Sequence, residues 1–198
     1  EFGGSDFGIA GISVIMQELG KTLTPSPMLA TSVLGVSAIK LLGSNEQKKI
    51  YLPKIVSGET TTALAIDEGN HHNPFDIEAT ATLEGDKWTL NGQKVFIIDG
   101  ASADFILIVA RTSGEKGESN GLSVFIADKN SKGLEVSQIS TADCRNYANL
   151  IMNNLILDEN ALLGEVDIAG EVIEQVLDLG RIAMASEMLG NTEEAFEI

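Results

Sequence analysis

The chain has 198 residues, of which 43% are hydrophobic and 5% aromatic, a composition typical of a globular protein long enough to bury a core. Acidic residues outnumber basic ones by 29 to 13, which gives a formal net charge of −16. Such a charge repels phosphate backbones and anionic membrane surfaces, so we expect no nucleic-acid partner.

Two apolar helices are predicted near the start of a helical region that spans residues 1–60. The first contains apolar residues at helical spacing, namely Ile9, Ile12, Ile15 and Leu19. Gly20 suits a C-terminal cap for this helix. The second helix, MLATSVLGVSAIKLLG, is apolar on most faces and ends at Gly43. This pattern is expected of a helix buried among others.

A third, shorter helix follows in SNEQKKIYLPKIVSGE. Ser44 is a suitable N-cap, and Gln47, three residues later, completes the pattern of a capping box. Pro53 and Gly58 are expected to limit this helix at its other end.

From residue 61 the pattern changes to short segments, β-branched or alternating, that Gly, Asn and Asp divide. Seven such segments follow: TTALAI, IEATATLEG, KWTLNGQKVFII, DFILIVART, GLSVFIADK, GLEVSQIS and NLIMNNLIL. They predict an antiparallel β domain over residues 61–165, packed as a sandwich or a flattened barrel. Asn91-Gly92 has the chemistry of a hairpin turn or a tight corner.

Helical periodicity returns in residues 166–198, through Ile168, Val172, Val176, Leu177, Ile182 and Leu189. A long amphipathic helix must bury its apolar stripe, so we expect its partner helices on further sequence or on another subunit. The predicted fold class is therefore α+β: N-terminal helices, a central antiparallel β-sandwich or flattened barrel, and the start of a C-terminal helical bundle.

Cysteine content and hydropathy indicate the cellular compartment of the protein. Cys144 is the only cysteine, so no internal disulfide can form, and we expect a small half-buried thiol in a reducing compartment. No segment approaches the roughly 20 apolar residues that a membrane-spanning helix needs, and the opening EFGGSDFG lacks the order of a signal peptide. These features predict a cytoplasmic chain with no membrane span.

Four phrases carry a resemblance to a known family: GSNEQKKIYLPKIVSGE, LNGQKVFIIDGASADFILIVART, GLSVFIADK and ILDENALLGE. With the order helices, β domain, long helix, they resemble the acyl-CoA dehydrogenases over nearly the whole chain. The chain resembles most of that family's N-terminal helical domain, all of its middle β domain and the first helix of its C-terminal domain. The 198 residues alone are therefore expected to be inactive.

The resemblance implies a flavoprotein that holds FAD at a subunit interface, with an acyl-CoA thioester against the flavin. A carboxylate then removes the α-proton while the β-hydride passes to flavin N5. The resemblance also implies an electron-transfer flavoprotein as electron acceptor and a homo- or hetero-oligomer, either a dimer or a tetramer. The acyl chain length is left open.

The residues that the resemblance assigns to cofactor binding are Leu64, Ile66, Asp67, Phe96, Ile97 and Ile98. The loop DEGNHHNPFD stands where the family has a motif close to TEPxAGSD, and it is two residues longer. Asp67 replaces Thr or Ser there, Gly69 replaces Pro, and Ile98 replaces a hydroxyl expected near flavin N5. An ionised Asp67 can only accept hydrogen bonds, so it suits a reduced flavin poorly unless it is protonated or turned away.

The residues that the resemblance assigns to the acyl-CoA are Phe75, Leu177, Asp178 and Arg181. In some family members a catalytic glutamate lies in a pattern like LDxER, where this chain reads LDLGR. Gly180 occupies that position and cannot abstract a proton, so we expect no catalytic residue in this chain. Glycine in a helix costs roughly 1 kcal/mol relative to alanine, so close packing is expected at Gly180. The alternative for Asp178 and Arg181 is a helix-surface pair.

Two other patterns in the loop after residue 66 predict no site. Adjacent side chains such as His71 and His72 rarely converge on one ion, and no Cys or further His completes a set, so we expect a solvated loop and no metal. Asp67 and Glu68 are neighbours in an extended strand and point to opposite faces. We therefore expect a structural role for Glu68 and no acid/base dyad.

Three functions remain open on the sequence. The first is an FAD-dependent acyl-CoA dehydrogenase. The second is a non-catalytic or poorly flavin-binding subunit of a hetero-oligomeric acyl-CoA dehydrogenase, which Asp67, Gly69 and Ile98 favour. The third is an acyl-CoA oxidase or a nitroalkane-oxidase-like flavoenzyme, which peroxide production would identify.

Overall fold

The computed structural model describes residues 2–143 and 145–197. The thiol predicted at Cys144 lies outside these described residues. The helices are α1 (Gly8–Thr22), a π-helix (Met28–Gly35) that continues into α2 (Val36–Leu42), α3 (Asn45–Val56), a short 3₁₀ turn (Glu159–Ala161) and α4 (Ala169–Glu197). None of the helices in the described ranges combines the length and apolarity that crossing a membrane requires.

The N-terminal helices follow the sequence except at two ends. Ser44 caps α3 in the predicted capping box, with the Gln47 amide donating to Ser44 Oγ over 3.2 Å. Pro53 lies inside α3 and does not end it. The α1 cap predicted at Gly20 is wrong, because the helix continues to Thr22 and Leu23 takes the left-handed conformation with φ 49°.

The strands are β1 (Thr62–Ala65), β2 (Thr80–Glu84), β3 (Lys87–Ile98), β4 (Phe105–Arg111), β5 (Leu122–Asp128), β6 (Leu134–Ile139) and β7 (Tyr147–Asp158). They form one curled sheet in the order β1-β4-β2-β3-β7-β6, with β5 on β4. The predicted fold class is confirmed. The sheet is mixed, however, because β1 runs parallel to β4. Both strands are buried at every residue, so no alternation in the sequence reveals their direction.

β3 passes through Asn91-Gly92 without turning back. The β2–β3 hairpin lies earlier, where Glu84 faces Lys87 across Gly85 at φ 65°. At Gly92 the register of β3 against β7 shifts, and a Cβ there would lie 2.7 Å from Ala79. The hairpin interpretation is therefore wrong, and the glycine forms a bulge that lets β3 approach the loop before β2.

α4 packs against α1 and the π-helix through small residues. Its buried residues are Ala169, Gly170, Ile173, Val176, Gly180, Ala183, Glu187 and Gly190. The predicted apolar stripe is wrong at Ile168, Ile182 and Leu189, whose side chains are exposed. Glycines and alanines make up most of this stripe, and at Gly190 the helices lie so close that a Cβ would overlap the Gln17 carbonyl oxygen.

Candidate cofactor site

The segments that follow β1 and end β3 lie side by side, although the two strands are not ladder neighbours. The Val95 amide donates to the Asp67 carbonyl oxygen over 2.8 Å. From the same stretch of β3, Lys94 Nζ donates to the Ile66 carbonyl oxygen over 2.9 Å. The two stretches that the sequence assigned to the cofactor are therefore brought together by contacts to the carbonyl oxygens of Ile66 and Asp67.

Lys94 and Glu68 form a buried ion pair at this junction. Lys94 Nζ lies 2.7 Å from Glu68 Oε1, and the lysine side chain is 0% exposed. The Glu68 carboxylate also accepts the amides of Glu78 and Ala79, over 2.7 and 3.0 Å. Glu68 thus closes the loop between β1 and β2, a structural role that leaves no acid/base dyad with Asp67.

Burial lowers the pKa of the Lys94 ammonium from 10.5 to about 8, and the Glu68 carboxylate partly offsets this effect. Below pH 8 Lys94 is protonated in both the folded and the unfolded chain, so its contribution to the free energy of unfolding does not change with pH. Between pH 8 and 10.5 the unfolded chain binds more protons, so this group makes stability rise with pH, by about 3 kcal/mol in all. Urea unfolding at pH 7.5 and 10 should show the rise in the wild type. Lys94→Met should lack it, and an equal rise in both proteins would contradict the assignment.

Asp67 is held by its own loop. His72 Nδ1 lies 2.9 Å from Asp67 Oδ2 and 3.1 Å from Oδ1, and the Asn73 amide donates to Oδ1 over 3.2 Å. An ionised carboxylate only accepts, so Nδ1 carries the hydrogen in this contact. Within residues 2–143 and 145–197, no group of three His, Cys, Asp or Glu side chains could hold a metal ion.

Phe96 is turned outward by a second bulge. The register of β3 against β7 shifts between Lys94 and Ile97, and Phe96 takes φ 52° with 58% of its surface exposed. Its amide donates to Asn149 Oδ1 over 3.2 Å, and its ring meets Tyr147 edge-on with centroids 6.0 Å apart. Positive φ is strained for a bulky residue. The bulge therefore exposes the Phe96 ring at the expense of backbone conformational energy.

The other residues assigned to the cofactor face inward. Leu64, Ile66 and Ile97 are buried in the core, so they can reach a ligand mainly through their backbones. Ile98 is half-buried and lines a cavity of about 80 Å³. Asp67, Phe96 and Ile98 are therefore the assigned residues whose side chains are accessible.

The cavity beside Ile98 brings together charged groups that sequence reasoning missed. Its walls include Asp99, Arg145 and Glu187, with Met28 and Leu29 on the apolar side. Arg145 forms an ion pair with the buried Glu187 of α4. Burial raises the pKa of the Asp99 carboxyl, and the Arg145 charge opposes that shift. Asp99, Arg145 and Glu187 come from separate elements, so no local sequence motif indicates that they lie together.

The residues assigned to the acyl-CoA lie on two elements. Phe75 is half-buried in the loop before β2, where its carbonyl oxygen accepts from the Gly117 amide over 3.0 Å. On α4, Arg181 Nη1 contacts Asp178 Oδ1 over 2.5 Å and Glu174 over 2.7 Å. Both members of the Arg181–Asp178 pair are exposed, which is the surface arrangement that the sequence left as an alternative. Leu177 is partly buried against the core.

The accessible residues fit a flat heteroaromatic cofactor such as a flavin. Phe96 offers an exposed ring, Ile98 an apolar contact, and Asp67 a polar group whose charge His72 can compensate. Positions 67 and 98 carry no hydroxyl.

The chain belongs to the acyl-CoA dehydrogenase family. Residues 1–59 match the profile "Acyl-CoA dehydrogenase, N-terminal domain" and residues 63–158 match "Acyl-CoA dehydrogenase, middle domain". It is 30% identical to a short-chain specific acyl-CoA dehydrogenase of Clostridium acetobutylicum, over 99% of this chain and 53% of that protein. The chain thus spans about half the length of the curated relatives it matches.

Solved structures support the same assignment. An acyl-CoA dehydrogenase from Geobacillus kaustophilus superposes with a TM-score of 0.90 at 27% identity, over 99% of this chain and 53% of that one. Butyryl-CoA dehydrogenase from Megasphaera elsdenii gives a TM-score of 0.89 at 27% identity, over 98% and 53%. The arrangement of N-terminal helices, curled sheet and long helix is therefore the fold of this family.

Proposed function

We propose that the whole protein binds FAD and catalyses the α,β-dehydrogenation of an acyl-CoA thioester. The observation that carries this proposal is the convergence of the segments after β1 and at the end of β3, where the Val95 amide donates to the Asp67 carbonyl oxygen and a strained bulge exposes the next residue, Phe96. In this proposal Asp67, Phe96 and Ile98 contact the flavin. FAD, when bound, supplies the hydride acceptor for the reaction.

The chain's own residues serve binding and orientation in this proposal. Phe96 packs against the flavin ring system, and the backbone between Leu64 and Asp67 lies along its polar edge. Phe75, Leu177, Asp178 and Arg181 contact the acyl-CoA. Gly180 has no side chain, so the carboxylate that removes the α-proton comes from outside the LDLGR segment. We further propose an electron-transfer flavoprotein as the electron acceptor and an oligomeric assembly.

The visible absorbance of the whole protein tests the proposal. The protein is purified with added FAD and then mixed with a panel of acyl-CoAs of different chain lengths. We expect a flavin spectrum that bleaches with at least one of them, without peroxide on subsequent exposure to oxygen. Peroxide production would instead identify an oxidase, and a spectrum that no acyl-CoA bleaches would contradict the dehydrogenase.

A second function is favoured by the absence of hydroxyls at positions 67 and 98. In this case the protein is a non-catalytic subunit that pairs with an active homologue in a hetero-oligomer. A colourless whole protein that raises the activity of a co-purified homologue would establish this function and would overturn the first.

A further inference from the structure

We infer that His72 is a positioning residue for the flavin site: its imidazole holds the Asp67 carboxylate and offsets its charge, which allows an acidic residue to stand at the flavin's polar edge. This inference rests on the proposed function, because it concerns the same site. The inference explains how this chain can carry a carboxylate at position 67, where the family resemblance implies a hydroxyl.

The contact between the two side chains is the first argument. His72 Nδ1 lies within 3.1 Å of both Asp67 oxygens, so the imidazole faces the carboxylate symmetrically. The Asn73 amide is a second donor to this carboxylate, over 3.2 Å. A carboxylate that already accepts from these donors presents less unbalanced negative charge to a neighbouring ligand than a free one.

The loop brings His72 to this position. Glu68 accepts the amides of Glu78 and Ala79 and so draws the far end of the loop back to its start. The residues between these anchors fold over Asp67, and His72 lies among them.

Other charged groups near Asp67 are already engaged. Lys94 acts on Asp67 through charge, but its Nζ donates to Glu68 and to the Ile66 carbonyl oxygen and is fully buried. His71, the neighbouring imidazole, is exposed. His72 is therefore the donor side chain placed against the Asp67 carboxylate, and His71 provides a matched control one residue away.

A double-mutant cycle on the whole protein tests this inference. Apoprotein is titrated with FAD by quenching of flavin fluorescence, and the midpoint potential of bound flavin is measured separately. His72→Ala should weaken FAD binding about tenfold and lower the midpoint potential, because an uncompensated carboxylate disfavours the extra charge of reduced flavin. His71→Ala should leave both quantities unchanged.

The Asp67→Ser background separates positioning from a structural role of His72. We expect His72→Ala to have no effect on affinity or potential when position 67 is serine. Equal losses in both backgrounds would show that His72 acts through loop structure and would overturn the inference. Identical values for His72→Ala and His71→Ala would overturn it as well, while leaving the proposed function intact.

Two further outcomes concern flavin binding itself. If Asp67→Ser binds FAD and the wild type does not, His72 fails to compensate Asp67, and the inference is overturned although the site is a flavin site. If neither protein binds FAD, the proposed function fails and the inference fails with it.

Discussion

Replacing Gly190 with alanine is expected to separate α4 from α1 and to lower the free energy of unfolding by about 3 kcal/mol. A Cβ on Gly190 would overlap the backbone carbonyl oxygen of Gln17, and a Cβ on Gly20 would overlap that of Glu187. The two helices therefore touch backbone to backbone at two reciprocal glycines. Backbone atoms cannot rotate away as a side chain can, so the helices must move apart. Urea unfolding at pH 7 measures the loss.

Gly180→Ala is the matched control, because it lies in the same helix and gains the same helix propensity. Its Cβ would lie 2.8 Å from Leu34 Cδ2, the end of a flexible side chain that can shift. The gain in helix propensity, roughly 1 kcal/mol, should offset the crowding, so we expect little net change. A Gly190→Ala protein as stable as Gly180→Ala would show that the helices do not meet at this glycine.

Glu68→Gln is expected to cost about 3 kcal/mol or more of unfolding free energy, because it leaves the Lys94 charge buried without its partner. The substitution also exchanges one carboxylate oxygen for an amide donor that faces the donors Lys94 Nζ and the Glu78 and Ala79 amides. Chemical denaturation at pH 7 measures the effect. Loss of protection from hydrogen exchange at Glu78 and Ala79 would show that the loop opens with the pair.

The control for Glu68→Gln is Glu78→Gln, which removes a surface ion pair with Lys116. Exposed pairs contribute little, so this variant should unfold like the wild type. The double variant Lys94→Met with Glu68→Gln should lose less unfolding free energy than the sum of the losses in the two single variants, because Lys94→Met removes the uncompensated charge. Strict additivity would mean that Lys94 and Glu68 do not stabilise each other.

The strands were predictable because each carries a local signal. Segments such as KWTLNGQKVFII and NLIMNNLIL contain β-branched and alternating residues, and turn residues separate them. The capping box at Ser44 was equally local. Of the two alternatives predicted at Asn91-Gly92, a hairpin turn or a tight corner, the hairpin is wrong. The same dipeptide chemistry suits a bulge, and only the pairing of β3 with β7 decides between them.

The packing of α4 could not be predicted from hydrophobic periodicity. Its contact stripe contains Gly180, Ala183 and Gly190, residues that contribute little apolar surface and so give no hydrophobic signal. Of the apolar side chains that give the signal, Val176 is buried as predicted, whereas Ile182 and Leu189 are exposed. Periodicity indicates which face of a helix could be buried, whereas the distance between helices depends on a partner distant in sequence.

The sequence could indicate which segments meet at the candidate site, but not the contacts that join them. The resemblance assigned Asp67, Phe96 and Ile98, and the structure brings their segments together. Lys94, which links them, and His72, which contacts Asp67, were not singled out for these roles. A lysine in an alternating strand is normally expected to face solvent. The burial of Lys94 depends on its ion pair with Glu68, which is 26 positions away in the sequence and gives no local signal.

The Lys94–Glu68 pair has a consequence for how this loop can diverge among related chains. Lys94 contacts the Ile66 carbonyl oxygen and the Glu68 carboxylate, on either side of Asp67, and Glu68 fixes the far end of the loop at Glu78 and Ala79. Residues 69–77 therefore lie between two fixed ends, at Glu68 and at Glu78. Insertions and deletions there leave the contacts of Lys94 and Glu68 in place, but they change the contacts that His72 and Asn73 make with the Asp67 carboxylate. The backbone of the site can therefore stay constant while the groups that surround the Asp67 side chain vary.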